Sequence, residues 1–283
     1  MNSTYVSKGA KLAFRDSGSG LPLVFLHPTP VDGDFWRPLI EELAGIRAIV
    51  PALRGHGASE LGSSLPIGGF AHVPDAPVLS MEQLAADTLA LLDHLEVPTA
   101  LFAGCSIGGY VLLELWRQAP QRIRGLAFIC SKPQPDAEAN LAKRADNIAQ
   151  ARAGAPGAPR AIDAFFDNAA QSLVGATARQ RHPEVARELR AQMTIMPEAL
   201  VAVQAGLATR PDSLPTVATI GVPVLAIAGG EDVSVSPAEM EAFRAAPGGC
   251  EFHLLPEAGH FAAYEEPRKT AALLTAWLKQ FEA

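Results

Sequence analysis

The sequence has little of what would set it apart from ordinary globular proteins. Cysteine is scarce: Cys105, Cys130 and Cys250 are scattered, odd in number and without CxxC spacing. That pattern excludes a disulfide framework and a thiolate metal cluster, and predicts buried free thiols. No apolar run approaches the roughly 20 residues that a membrane-spanning helix needs. Met1-Asn2-Ser3-Thr4 leads straight into strand-like sequence, with neither the basic nor the apolar segment of a secretory signal, so a cytoplasmic protein is expected. Basic residues are outnumbered, 23 Lys and Arg against 30 Asp and Glu, and no basic stripe interleaved with aromatics is found. Neither nucleic acid nor a membrane is an expected partner. No spacing of His, Cys, Asp or Glu implies a metal or an organic cofactor. What remains is an apolar fraction of 48% in 283 residues, which fits one large α/β domain carrying an inserted subdomain.

One stretch organises the chain. A strand-like run from Thr99 to Ala103 stops at Gly104, and Gly108 and Gly109 open an apolar helix. Gly104-Cys105-Ser106-Ile107-Gly108 matches G-x-S-x-G, in which a sharp strand-to-helix turn holds a serine hydroxyl clear of the sheet. Small residues flank such a turn because its strained backbone leaves no room for side chains. The helix directs its NH groups at the serine, so the NH of Ile107 can donate to an oxyanion. Ser106 is the candidate nucleophile; the alternative is a serine that only caps the helix. Cys105 should turn away from the site and is read as structural.

Other loops follow strand-like runs. Lys11 to Arg15 and Leu21 to Leu26 read as strands around the turn Asp16-Ser17-Gly18-Ser19-Gly20, forming a hairpin, and His27-Pro28-Thr29-Pro30 comes directly after. Phe35 to Leu43 has helical periodicity, and Ala48 to Pro51 leads into Arg54-Gly55-His56-Gly57-Ala58-Ser59. Val222 to Ala228 precedes Gly229-Gly230-Glu231-Asp232, and Cys250 to Leu255 precedes Pro256-Glu257-Ala258-Gly259-His260-Phe261.

Together with the elbow, these loops resemble the α/β-hydrolase family over nearly the whole chain. The resemblance implies an α/β-hydrolase fold: a mostly parallel eight-stranded sheet flanked by helices, with an inserted helical cap. It implies that Thr29 supplies the second oxyanion NH, although Pro28 stands where glycine is usual. The loop at Arg54 is structural in the family, which leaves His56 without a catalytic part; Ala52 replaces the usual aspartate. Asp232 falls at the acid position and His260 at the base position, in the chain order Ser, Asp, His that this fold shows. The proline after Asp232 comes one residue late, so Glu231 is kept as an alternative acid.

The expected division is 1–131 and 216–283 for the core, with a helical cap at 132–215. The cap should hold helices at Asp136–Arg152, Ala161–Leu173, Pro183–Met193 and Pro197–Ala208, broken by Gly154-Ala155-Pro156-Gly157-Ala158-Pro159. Phe165 and Phe166, with Phe261 beside His260, are the candidate substrate contacts; Met193, Ile195 and Met196 are weaker ones. The Gly/Pro-rich stretch from Glu60 to Leu79 either overhangs the pocket or is a disordered surface excursion. Ser80 with Gln83 looks like a capping box for a helix whose apolar face is core packing, and His94 at its end has no catalytic part. A helix from Pro267 to Phe281 closes the chain.

This constellation predicts a serine hydrolase that cleaves a small-molecule carboxylic ester or lactone through an acyl-enzyme, and the elbow and cap resemble 3-oxoadipate enol-lactonase relatives. Hydrolysis of a carbon–carbon bond in a diketone and cofactor-free perhydrolysis use the same triad and stay open. So does a reading of another class, a ligand-binding homologue with little turnover. Haloalkane dehalogenase and epoxide hydrolase chemistry, which the family performs with aspartate at the elbow, is not expected. The sequence does not give the oligomeric state.

Overall fold

The computed structural model describes residues 3–153 and 161–281; the run of breakers at 154–159 lies outside them. Eight strands form one sheet: β1 (Ser3–Ser7), β2 (Ala10–Gly18), β3 (Leu21–Leu26), β4 (Ile46–Pro51), β5 (Ala100–Cys105), β6 (Ile123–Ile129), β7 (Val224–Gly229) and β8 (Cys250–Leu255). Their order is β1-β2-β4-β3-β5-β6-β7-β8. Pairing is parallel from β4 through to β8, and only β2 runs against its neighbours. β5 and β7 are buried along their whole length, as central parallel strands covered on both faces must be. This is the α/β-hydrolase architecture.

The expected hairpin between the second and third strands does not form. β2 and β3 are joined by a tight turn, yet β4 lies between them and pairs with both. The turn passes against the start of β4: a Cβ on Gly18 would sit 2.5 Å from the Ile46 carbonyl oxygen, and one on Gly20 2.1 Å from that of Gly45. The hairpin partner of β2 is β1.

A 3-10 turn at Gly33–Trp36 runs into a single helical turn, α1 (Arg37–Ile40), shorter than its periodicity implies. α2 (Met81–His94) packs on α3 (Ile107–Gln118). Ser80 caps α2 by accepting from the Gln83 NH at 3.1 Å, but the Gln83 side chain turns to Asp87, so only half of the capping box is present. Asp87 in turn holds Arg54 through two 2.7 Å bonds in the buried interior, which fixes the loop that follows β4.

Between β6 and β7 lies a helical insertion: α4 (Glu138–Arg152), α5 (Ala161–Leu173), α6 (Ala176–Arg181), α7 (Pro183–Gln192), α8 (Pro197–Ala208) and the one-turn α9 (Leu214–Val217). The sequence reading lacked α6, a six-residue helix between Gly175 and Pro183. α8 is buried on almost every side, and the 60–79 segment packs on it, with the Leu79 NH donating to the Ala202 carbonyl at 3.0 Å. That segment folds back through two isolated bridges, Ile67 to Pro77 and Phe70 to Val73. The chain ends with α10 (Pro237–Met240), α11 (Ala262–Glu265) and α12 (Pro267–Leu278). Among the described residues no helix is long and apolar enough to cross a membrane.

Candidate active site

Ser106 sits between β5 and α3 with φ 52° and ψ −116°, a conformation that non-glycine residues avoid at a cost of roughly 1–3 kcal/mol. Its backbone is fastened on both sides. The Ser106 NH donates to the Ile129 carbonyl at 3.1 Å, and the Ser106 carbonyl accepts from the Gly109 NH at 2.9 Å and the Ser131 hydroxyl at 3.0 Å. The glycines answer to close approach. A Cβ on Gly104 would lie 2.6 Å from the Gly108 oxygen, and one on Gly108 2.1 Å from the Leu26 oxygen. The Ser106 side chain makes no cap bond to α3, so the helix-capping alternative is not realised. Ile107 is the first residue of α3, where an NH has no partner inside the helix.

Thr29 follows β3, and two buried histidines hold the loop around it. The His27 Nε2 accepts from the Leu53 NH at 2.9 Å, which leaves its Nδ1 to donate to the Pro28 carbonyl at 2.9 Å. His56 is a buried loop residue: its ring packs edge-on against His27, its Nδ1 faces the Arg54 carbonyl at 3.1 Å, and its Nε2 lies 3.0 Å from the Thr29 hydroxyl. With Nδ1 donating, Nε2 accepts from that hydroxyl. Burial pushes both imidazoles down, His27 to about 4 and His56 to about 3, so both are neutral at neutral pH.

His260 and Asp232 meet. The His260 Nδ1 lies 2.8 Å from Asp232 Oδ2, with both side chains almost wholly buried. The other oxygen of Asp232 accepts from the NH groups of Ser234 and Val235 at 2.7 and 3.0 Å. Glu231, the alternative acid, points elsewhere, to the NH and hydroxyl of Thr177. Glu265 was not foreseen. Its buried carboxylate accepts from the NH groups of Gly175, Gly259 and Phe261 at 2.9, 2.8 and 3.0 Å and so clamps the His260 loop to the insertion. Burial pushes its carboxyl up. The thiols of Cys105 and Cys130 sit under the same loop, 3.6 and 3.5 Å from the carbonyls of His260 and Gly259, and burial raises both well above the usual range.

Ser106, Thr29 and His260 open into one cavity of about 890 Å³, counting its mouth. Its far wall is the insertion. α4 contributes Asn140, Lys143, Arg144 and Asn147, and α5 contributes Phe165, Asn168, Ala169, Ser172 and Leu173. Of the three aromatic candidates only Phe165 reaches the cavity. Phe166 is wholly buried on another face of α5, under the Arg190 guanidinium, and Phe261 packs on the ring of Phe35. Met193 and Ile195 are likewise buried off the cavity, and Met196 is exposed. No residue of the 60–79 segment lines it. The missed signal is a helical one, since each of the two helices presents positions i, i+3, i+4 and i+7.

The fold, the elbow and the cavity at the ends of the central strands define a member of the α/β-hydrolase fold. The chain belongs to the alpha/beta hydrolase family, whose model matches residues 23–273. Over 278 residues it is 27% identical to a Mycobacterium tuberculosis protein provisionally named non-heme bromoperoxidase BpoC, covering 95% of this chain and 97% of that one. It is 26% identical over 234 residues to 3-oxoadipate enol-lactonase 2 of Acinetobacter baylyi, covering 81% of this chain and 77% of the other. Among solved structures, a thermophilic esterase from Thermogutta terrifontis, solved with malate bound, superposes with a TM-score of 0.86 at 28% identity over the full length of both chains.

Proposed function

We propose that this protein is a serine hydrolase that cleaves a carboxylic ester or lactone through an acyl-enzyme. One observation carries the reading: Ser106, on a strained elbow, opens into the same cavity as His260, whose Nδ1 is held by Asp232. An ionised carboxylate only accepts, so the proton of His260 rests on Nδ1 and the Nε2 lone pair is left for the serine hydroxyl. Ser106 Oγ attacks the carbonyl carbon as His260 takes its proton, and the NH groups of Thr29 and Ile107 receive the oxyanion. His260 then protonates the leaving alkoxide, and water, deprotonated by the same imidazole, releases the acid. The esterase and lactonase relatives agree with this reading. The test is Ser106→Ala with a fluorophosphonate probe and a 4-nitrophenyl ester. The native protein should take one adduct on Ser106, and the variant should take none and lose roughly 10⁴-fold or more in kcat. Full esterase activity in the variant would overturn the mechanism.

A second reading has support in the bromoperoxidase-named relative. Hydrogen peroxide in place of water attacks the acyl-enzyme and yields a peracid, with no change in the triad. Peracid formation from an ester and peroxide, abolished by Ser106→Ala, would favour it over simple hydrolysis.

A further inference from the structure

Charge sets the cavity beside Ser106 apart from the mostly apolar lining usual in small-molecule sites. Among the described residues four charged side chains line it: Lys132, Lys143 and Arg144 are cationic, against the carboxylate of Asp136. The layer behind does not redress the balance. Asp136 is already served by Arg210, at 2.8 Å through Nη2, in addition to the 3.0 Å contact from Arg144 Nε. Burial alone would raise the Asp136 carboxyl, but the two guanidiniums overcome it and hold the group below its usual range. Lys132 is matched by Glu239. With Arg210, Glu239 and the Asp232 partner of His260 counted, four cations still outnumber three carboxylates, in a protein whose net charge is −7.

The neutral groups add donors of the same sense. The Gln204 oxygen accepts from Arg144 Nη1 and from Asn147 Nδ2, both at 3.2 Å, which leaves the Gln204 NH2 for another acceptor. Arg210 is fixed over the Tyr110 ring at 4.3 Å, so the cationic pair is braced by an aromatic face rather than left to swing. A guanidinium held at Nε and at one Nη, beside a donor amide in a partly enclosed cavity, is built to receive a planar anion.

Resting on the hydrolase reading above, we infer that the substrate is an ester or lactone bearing a carboxylate on its acyl portion, and that Arg144 is the specificity-determining residue that receives it. The acyl carbonyl then lies at Ser106, on the strand side of the cavity, and the carboxylate points to α4.

The experiment compares two 4-nitrophenyl esters of matched chain length, the neutral valerate and the acidic hemiglutarate, on the native protein, Arg144→Met and Arg144→Lys. The native protein should prefer the acidic ester in kcat/KM. Arg144→Met should lower that acidic-to-neutral ratio by about 10- to 100-fold, the worth of a charge-assisted hydrogen bond. Arg144→Lys should keep part of it. Asp136 retains Arg210 in both variants, which preserves its partner in the fold. Should Arg144→Met fail to fold, the native ratio itself must fall as KCl is raised from about 20 to 500 mM, because added salt screens the attraction. A native preference for the neutral ester, or a ratio unmoved by Arg144→Met, overturns the inference. Calorimetry with glutarate and with pentanamide separates this result from failure of the hydrolase reading, because it needs no turnover. Glutarate binding lost in Arg144→Met sustains the anion site even if neither ester is cleaved. Equal binding of the two probes by the native protein refutes it.

Discussion

Glu265 shows how much a single side chain holds in place here. Its two oxygens take three backbone NH groups from both sides of the His260 loop. Glutamine offers one oxygen and an NH2, so Glu265→Gln sets a donor against a buried donor. Urea denaturation should report a loss of about 1–3 kcal/mol, accompanied by a fall in kcat as His260 loses its support. Stability equal to the native protein's would show that these bonds carry little. The residue was invisible in the sequence because Gly175, one of its partners, is 90 positions away. Ser106, Asp232 and His260 were legible for the opposite reason: each stands in a short local string whose glycines and strand boundaries dictate a loop. His56 stood in such a string too, but the resemblance assigned that loop to structure alone and gave no sign that its imidazole reaches the Thr29 hydroxyl.

At the scale of elements, α8 is fitted to the 60–79 segment at Gly206, where a Cβ would lie 1.8 Å from the Leu79 carbonyl oxygen. Alanine is the better helix former by about 1 kcal/mol, so propensity and contact oppose each other in Gly206→Ala. Contact with backbone that cannot swing aside should win, and the thermal midpoint should fall; a rise would mean that the segment is loosely seated. The lengths of α4, α5 and α8 could be read from breakers and periodicity, and their faces were harder. Phe165 and Phe166 are adjacent, yet about 100° of helix rotation sends one into the cavity and the other away from it. On α4 no large apolar side chain marks the cavity face; the stripe of Asn140, Lys143, Arg144 and Asn147 does so by its polarity. The hairpin assigned to β2 and β3 failed on a different ground: a tight turn fixes the direction of the next strand, and a third strand can still lie between the two.

Across the whole molecule, the order of motifs sufficed to read the fold, because the chain order Ser, Asp, His is tied to one sheet topology. The charge layout was beyond reach, since residues on α4, α8 and the loops after β6 converge only once folded. The paired imidazoles of His27 and His56 give the molecule an acid weakness. Their folded values lie below the unfolded value near 6.5, so the stability they confer is complete above that pH. Below it the unfolded chain takes up the protons first, so stability falls progressively, and the loss is complete near 4 for His27 and near 3 for His56. Denaturation midpoints measured from pH 7 to 4 should drop, and His56→Gln, which keeps an acceptor for Thr29 and cannot be charged, should flatten the curve. An unchanged slope would assign the acid sensitivity to other groups.

The seam between the insertion and the His260 loop bears on how such proteins can be re-engineered. The His260 NH donates to the Leu173 carbonyl at 2.8 Å, and Gly175 and Thr177 reach Glu265 and Glu231 across the same line. A chimaera made by exchanging everything between β6 and β7 for a foreign lid imports a new wall but discards the struts under the His260 loop. Such a graft must bring along the turn at 173–177 or rebuild its bonds. Selectivity and turnover are thus inherited as one module, and libraries that vary α4 while sparing that turn are the ones in which the two can be tuned apart.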